Sequence, residues 1–200
     1  MSLVKIQGNA SGTGEFTIAA PNSNTNRTLT LPDVTGTFLT SATTTGFPAG
    51  SVIQVVSTIK TDTFSTTSGS LTDVTGMSVS ITPTSTTSKI LIQFSLGQAG
   101  PAAAAAFGVA LLRGSTVIGA GDTAGSRIST SIAGIADGDR SNSQSFCFLD
   151  SPSTTSSTTY KLQIYVNSGN TVYINRSTND SNSSVYARTA STITVMEIAA

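Results

Sequence analysis

Acid–base and nucleophilic chemistry would have to come from ten carboxylates, Glu15, Glu197 and eight aspartates, and from one thiol, Cys147, because the sequence holds no histidine. Without imidazole, nucleophile–base pairs and most zinc sites lose their commonest member. Ser-Lys or Asp-Asp catalysis stays formally open, but the aspartates fall mainly in turn-like segments, where the side chain caps its own backbone. We therefore expect no enzyme and no catalytic residue. ADGDRSNS sets Asp137 and Asp139 around Gly138, two carboxylates with Asn and Ser oxygens nearby that would suit a hard cation. The closing Glu of a calcium loop is missing and the Gly is misplaced, so an exposed loop without metal is expected. ASGTGEF, Ala10 to Phe16, lacks the Lys and helix that complete a phosphate-binding loop. Cys147, between Phe146 and Phe148, reads as a small strand residue, since no basic neighbours are there to activate its thiol. No cofactor is expected.

Recognition chemistry has better material. Tyr165 and Tyr173 flank an NSGN turn on the strand faces opposite the expected core, and the long polar stretch NRSTNDSNSSVYAR follows, Asn175 to Arg188. Tyrosine rings can stack on sugar C–H groups while Asn and Ser read hydroxyls. Tyr165, Tyr173, Asn175, Asn179 and Tyr186 are thus the candidate receptor-contact surface, with host polysaccharide as the partner class. Packing between subunits is the competing use of the same tyrosines.

The elements that would position these residues are strands. The chain is 38% hydrophobic but only 10% charged, well under the usual share of about 25% charged residues, and Ser and Thr supply about a third of it. Thr favours strands and Ser competes with the helical backbone for hydrogen bonds. Ten basic and ten acidic residues leave no net charge, and no window concentrates Lys or Arg. Direct nucleic-acid binding and attraction to an anionic membrane are not expected. The start, MSLVKIQGNASG, lacks the pattern of a signal peptide, and no run is apolar enough to span a bilayer as a helix. A single cysteine excludes an intrachain disulfide.

From residue 46 to 200 the sequence reads as strand after strand, separated by Gly, Ser, Asn and Pro turns, and an all-β, jelly-roll-like sandwich is expected. SVIQVVSTI sets Ile53, Val55 and Ile59 on one face. MSVSIT points Met77, Val79 and Ile81 inward. KILIQFSL puts Ile90, Ile92, Phe94 and Leu96 on one face, opposite Lys89, Gln93 and Ser95. VALLRGSTVI reads as a hairpin around Arg113 and Gly114, and YKLQIYVNSGNTVYINR as a second. Phe146 and Phe148 share a face, and STITVMEIA is the last strand. PAAAAAF, Pro101 to Phe107, is too short for an isolated helix and reads as a loop or a closely packed edge.

Residues 1–45 differ. EFTIAA and RTLTL can make short strands, and VTGTFLTS a third, before a linker. Phe16, Ile18, Leu29, Leu31, Phe38 and Leu39 are nearly the whole apolar inventory, so the segment is marginal alone. Its apolar faces need cover, either from identical copies wound about one axis or from the chain's own sandwich.

The stretch GEFTIAAPNSNTNRTLTLPDVTGTFLTS, Gly14 to Ser41, resembles a segment of tail-fibre-like proteins of tailed phages, especially those of cyanobacteria and marine bacteria. Ala20, Pro21, Asn26 to Asp33, Gly36 and Thr37 carry the resemblance. GMSVSITPTSTTSKILIQFSL, VALLRGSTVIGAGD, STTYKLQIYV, TVYINRS and STITVMEIA resemble a phage carboxyl-terminal sandwich found in trimeric heads of tumour-necrosis-factor or C1q-like shape. The resemblance implies a homotrimeric virion protein, made in the host cytoplasm and partnered by tail or major capsid protein. It implies residues 1–45 as the trimerisation and attachment segment. With no long amino-terminal attachment domain in the sequence, a short tail appendage for host attachment is expected, with a capsid cement or decoration trimer as the alternative.

Overall fold

The computed structural model describes residues 11–14, 17, 22, 24–26, 28, 30, 35, 46–102, 105–136, 142–167 and 169–200. The chain divides into two units, Met1–Thr37 and Phe38–Ala200. The expected seam residues Phe16, Ile18, Leu29, Leu31, Phe38 and Leu39 lie outside the described residues, as does the Asp137–Asp139 loop.

The second unit is all-β, with two antiparallel sheets. Its strands are β1 (Val52–Lys60), β2 (Phe64–Thr66), β3 (Thr72–Ile81), β4 (Lys89–Pro101), β5 (Ala105–Arg113), β6 (Thr116–Ile118), β7 (Ile132–Ala136), β8 (Asn142–Asp150), β9 (Thr158–Val166), β10 (Val172–Ile174) and β11 (Ser191–Ile198). One sheet is built on the long strand β4. β11 and then β10 follow along one of its edges and β8 along the other, while β1 extends β11 and β2 extends β10. The second sheet is built on β5, with β9 on one edge, itself paired to β3, and β6 and β7 on the other.

The alternation written into the strands sets the core. Met77, Val79 and Ile81 of β3, Ile90, Ile92, Phe94 and Leu96 of β4, and Tyr160, Leu162, Ile164 and Val166 of β9 are all buried in one cluster. Each such side chain contributes about 1.5–3 kcal/mol by leaving water. Phe146 and Phe148 of β8 pack against that cluster from its rim, their rings stacked at 6.4 Å. β5 and β6 form the expected hairpin, with Gly114 at φ 60° in its turn. Both ends of PAAAAAF belong to strands: Pro101 closes β4, and Ala105 and Phe107 lie in the core from β5.

One expected hairpin is corrected. β9 and β10 are joined by the NSGN turn, yet β9 pairs with β3 and β5 while β10 pairs with β4 and β2. The turn carries the chain from one sheet to the other. Both strands bury alternate residues in the same core, so their patterns are those of a hairpin although they never pair.

One buried polar cluster bridges the two sheets, and a second ties β11 to β1 and to the chain that leaves β3. Asp150 on β8 accepts Arg113 Nη1 on both carboxylate oxygens at 2.9 Å and the Tyr160 hydroxyl at 2.7 Å. Tyr160 and Arg113 are cross-strand partners in the opposite sheet. Burial, with the adjacent Asp150 carboxylate, pushes the Tyr160 hydroxyl far above its ordinary pKa, so it remains a donor. Glu197 on β11 has no exposed surface and accepts from Gln54 Nε2 and from the Thr84 amide and hydroxyl at 2.7 and 2.8 Å. Burial works to raise its pKa, but the hydrogen bonds, that of Gln54 foremost, outweigh it and hold the carboxyl below its ordinary 4.5. A depressed folded-state pKa contributes stability that is present above the unfolded value and lost as pH falls through the folded one. Acid titration followed by circular dichroism is therefore expected to show stability declining below about pH 4.5, with a shallower decline in Glu197→Gln. An equally steep loss in the variant would assign the acid sensitivity elsewhere.

Candidate functional site

The chain between β10 and β11, residues 175–190, gathers most of the unusual polar chemistry of the described surface. Its entry is locked from below. Asn175 has no exposed surface and adopts φ 64°, a left-handed conformation that Asn tolerates better than most residues. Its Nδ2 donates to the carbonyls of Lys60 and Asp62, each at 2.9 Å, and its Oδ1 accepts the Ser191 hydroxyl at 2.6 Å. One side chain thus ties the end of β1, the following turn and the start of β11. This corrects the expectation for Asn175: with no surface to offer, it anchors the loop and leaves the contact set.

Above that anchor, Arg176 lies 4.2 Å from the centre of the Tyr173 ring, a cation–π stack. Its remaining donors are turned into the loop, Nε to the Ser177 carbonyl at 3.0 Å, Nη2 to the Thr178 carbonyl at 2.8 Å and Nη1 to Asp180 Oδ2 at 3.2 Å. The same Asp180 oxygen accepts Arg188 Nη2 at 2.6 Å, closing the loop across its base. Asn179 folds the tip: its Oδ1 accepts the Ser181 amide and hydroxyl, and its Nδ2 donates to the Tyr186 hydroxyl at 2.9 Å. Between these tethers opens a surface concavity of about 240 Å³ lined by Asp180, Ser181, Asn182, Ser183, Tyr186 and Arg188.

The structure therefore brings Tyr173, Asn179 and Tyr186 to one loop. Tyr165 is elsewhere. It stands on the outward face of the β5 sheet against Gly108, where an added Cβ would meet the Tyr165 ring at 2.6 Å and Thr130 at 2.8 Å. Arg176, Asp180 and Arg188, which organise the concavity, were not among the residues singled out from sequence; the signal was the pair of arginines bracketing the loop with one carboxylate between them.

The carboxylate of the concavity is held by two guanidinium groups, and among the described residues no group of three Cys, Asp or Glu could hold a metal ion. Cys147 is exposed on β8. Among the described residues no helix is long and apolar enough to cross a membrane.

A second surface stands out on the β4 sheet. Val55, Met196, Leu91 and Leu149 lie side by side across β1, β11, β4 and β8 in one row of the register. Val55 and Leu149 are 56% and 53% exposed. The next rows are Ser57, Thr194, Gln93 and Cys147, then Ile59, Thr192, Ser95 and Ser145. Val55 and Ile59 do share a face, and it is the outward one. Lys89 is the one charged side chain among the described outward positions of these four strands.

No family model matches the chain, and no curated protein matches it. Among solved structures, a similar chain is that of the "Structure of infectious bursal disease virus Gx strain", with 12% identity and a TM-score of 0.37, covering 83% of this chain and 47% of that one. The chain thus spans about half the length of that protein.

Proposed function

We propose that the protein is a non-enzymatic structural module of a tailed-phage virion, a homotrimer that forms a short appendage, on the tail, and takes part in host attachment. The observation that carries this reading is the outward face of the β4 sheet. A solvated antiparallel sheet ordinarily shows polar and charged side chains to water, whereas this one shows a continuous apolar row flanked by hydroxyls. Such a patch supports a protein–protein contact, and a nearly chargeless one can meet copies of itself without like-charge repulsion.

The strand order supports the jelly-roll form of the sandwich, with β1-β11-β4-β8 in one sheet and β3-β9-β5-β7 in the other. The LTLPD segment of residues 29–33 supports a phage virion as the setting. In this reading residues 1–45 join the trimer to the particle, and the β10–β11 loop faces host polysaccharide.

The reading is tested on intact particles. Antibodies raised against residues 46–200 are expected to decorate the tail in electron micrographs and to neutralise infection. Decoration of the head at many copies, with particles that leak DNA when the protein is missing, would replace the tail appendage by a capsid cement.

A further inference from the structure

We propose that the β10–β11 loop concavity binds the anionic group of an acidic saccharide, a carboxylate or phosphate ester carried on a sugar. The inference rests on the attachment reading and names the ligand class for its loop.

The two arginines do different work. Arg176 is spent on the loop itself: three donors go to Ser177, Thr178 and Asp180, and its face lies on Tyr173. Arg188 gives a single bond, through Nη2 to Asp180, and its side chain is 55% exposed. Its other N–H groups have no partner among the described residues, and the residue lines the concavity. A guanidinium with a free edge is a fork shaped for two oxygens of one carboxylate or phosphate.

Charge points the same way. Among the described residues Asp180 is the one acid at the concavity, and it is already engaged by both arginines, so two cations face one anion and a positive charge is left over. Around it stand Ser181, Asn182, Ser183 and Tyr186, hydroxyls and an amide that can donate to and accept from sugar hydroxyls, beside one aromatic ring. A purely neutral sugar would leave the free edge of Arg188 unmatched.

The full chain is titrated by calorimetry with oligogalacturonate, with a mannose 6-phosphate oligosaccharide and with a neutral dextran oligomer. Binding to one or both acidic probes, weakened by added salt and absent with dextran, is expected. Arg188→Gln should weaken it about tenfold or more, with Arg188→Lys intermediate, because the ammonium keeps charge but loses the fork. Asp180→Asn should strengthen it by removing the competing carboxylate. Thermal melts of all three variants establish that the sandwich is intact. Equal binding of dextran, unchanged binding in Arg188→Gln, or no binding of either acidic probe overturns the proposal. If the protein labels the tail and neither acidic probe binds, the ligand class falls and the attachment reading stands. If acidic probes bind and the protein is absent from particles, the site stands without that role.

Discussion

Replacing Asp150 with alanine is expected to cost about 3–5 kcal/mol of unfolding free energy, the scale for breaking a buried ion pair from one side. Asp150 is 6% exposed and Tyr160 is fully buried. The Asp150 carboxylate accepts Arg113 Nη1 on both oxygens and the Tyr160 hydroxyl on one, reaching from β8 to the facing strands β5 and β9. The variant would strand a hydroxyl in the core and leave a half-covered guanidinium without its counter-charge. Tyr160→Phe removes only the hydroxyl and keeps the Arg113–Asp150 pair, so about 1–1.5 kcal/mol is expected there. Urea denaturation of the two variants measures both values. An Asp150→Ala cost no larger than that of Tyr160→Phe would mean that the pair is solvated in solution and does not clamp the sheets.

The second large effect falls on assembly. Leu149→Asp or Val55→Asp would place a carboxylate at one end of the apolar row on the β4 sheet, where association would strip it of water. Desolvating an unpaired charge costs several kcal/mol, and about 3 kcal/mol per contact corresponds to more than a hundredfold in the association constant. Both side chains are more than half exposed in the single chain, so the fold itself should tolerate the change. Dissociation with an unchanged thermal melt of the separated subunits is the expected signature. Ser57→Ala, in the neighbouring row, removes a hydroxyl bonded to Thr194 and should leave assembly nearly as it was.

The core was legible because alternation with a period of two is a direct imprint of the pleat. KILIQFSL and MSVSIT carry it without interruption, and their inward residues are those buried. Alternation says which residues share a face, but not which sheet a strand joins or which side is wet. That is why β9 and β10 read as a hairpin while they sit in different sheets, and why Val55 and Ile59 could be grouped without showing that their side faces outward. At the loop, residue type alone grouped Tyr173, Asn179 and Tyr186, and the structure places them at or beside the same loop. Asn175 was not separable from its neighbours, because its burial depends on carbonyls of Lys60 and Asp62, far away in sequence. The Arg176–Asp180–Arg188 bridge depends on the loop folding back on itself, which spacing alone does not disclose.

In the proposed homotrimer the nearly chargeless face of β1, β11, β4 and β8 is covered by other copies of the same chain. Sedimentation equilibrium of the full chain at micromolar concentration tests it most directly. One species at three times the 20.3 kDa of a single chain is expected, reduced to single subunits by Leu149→Asp. A folded species of one chain mass across the whole concentration range, unaltered by that substitution, would contradict it.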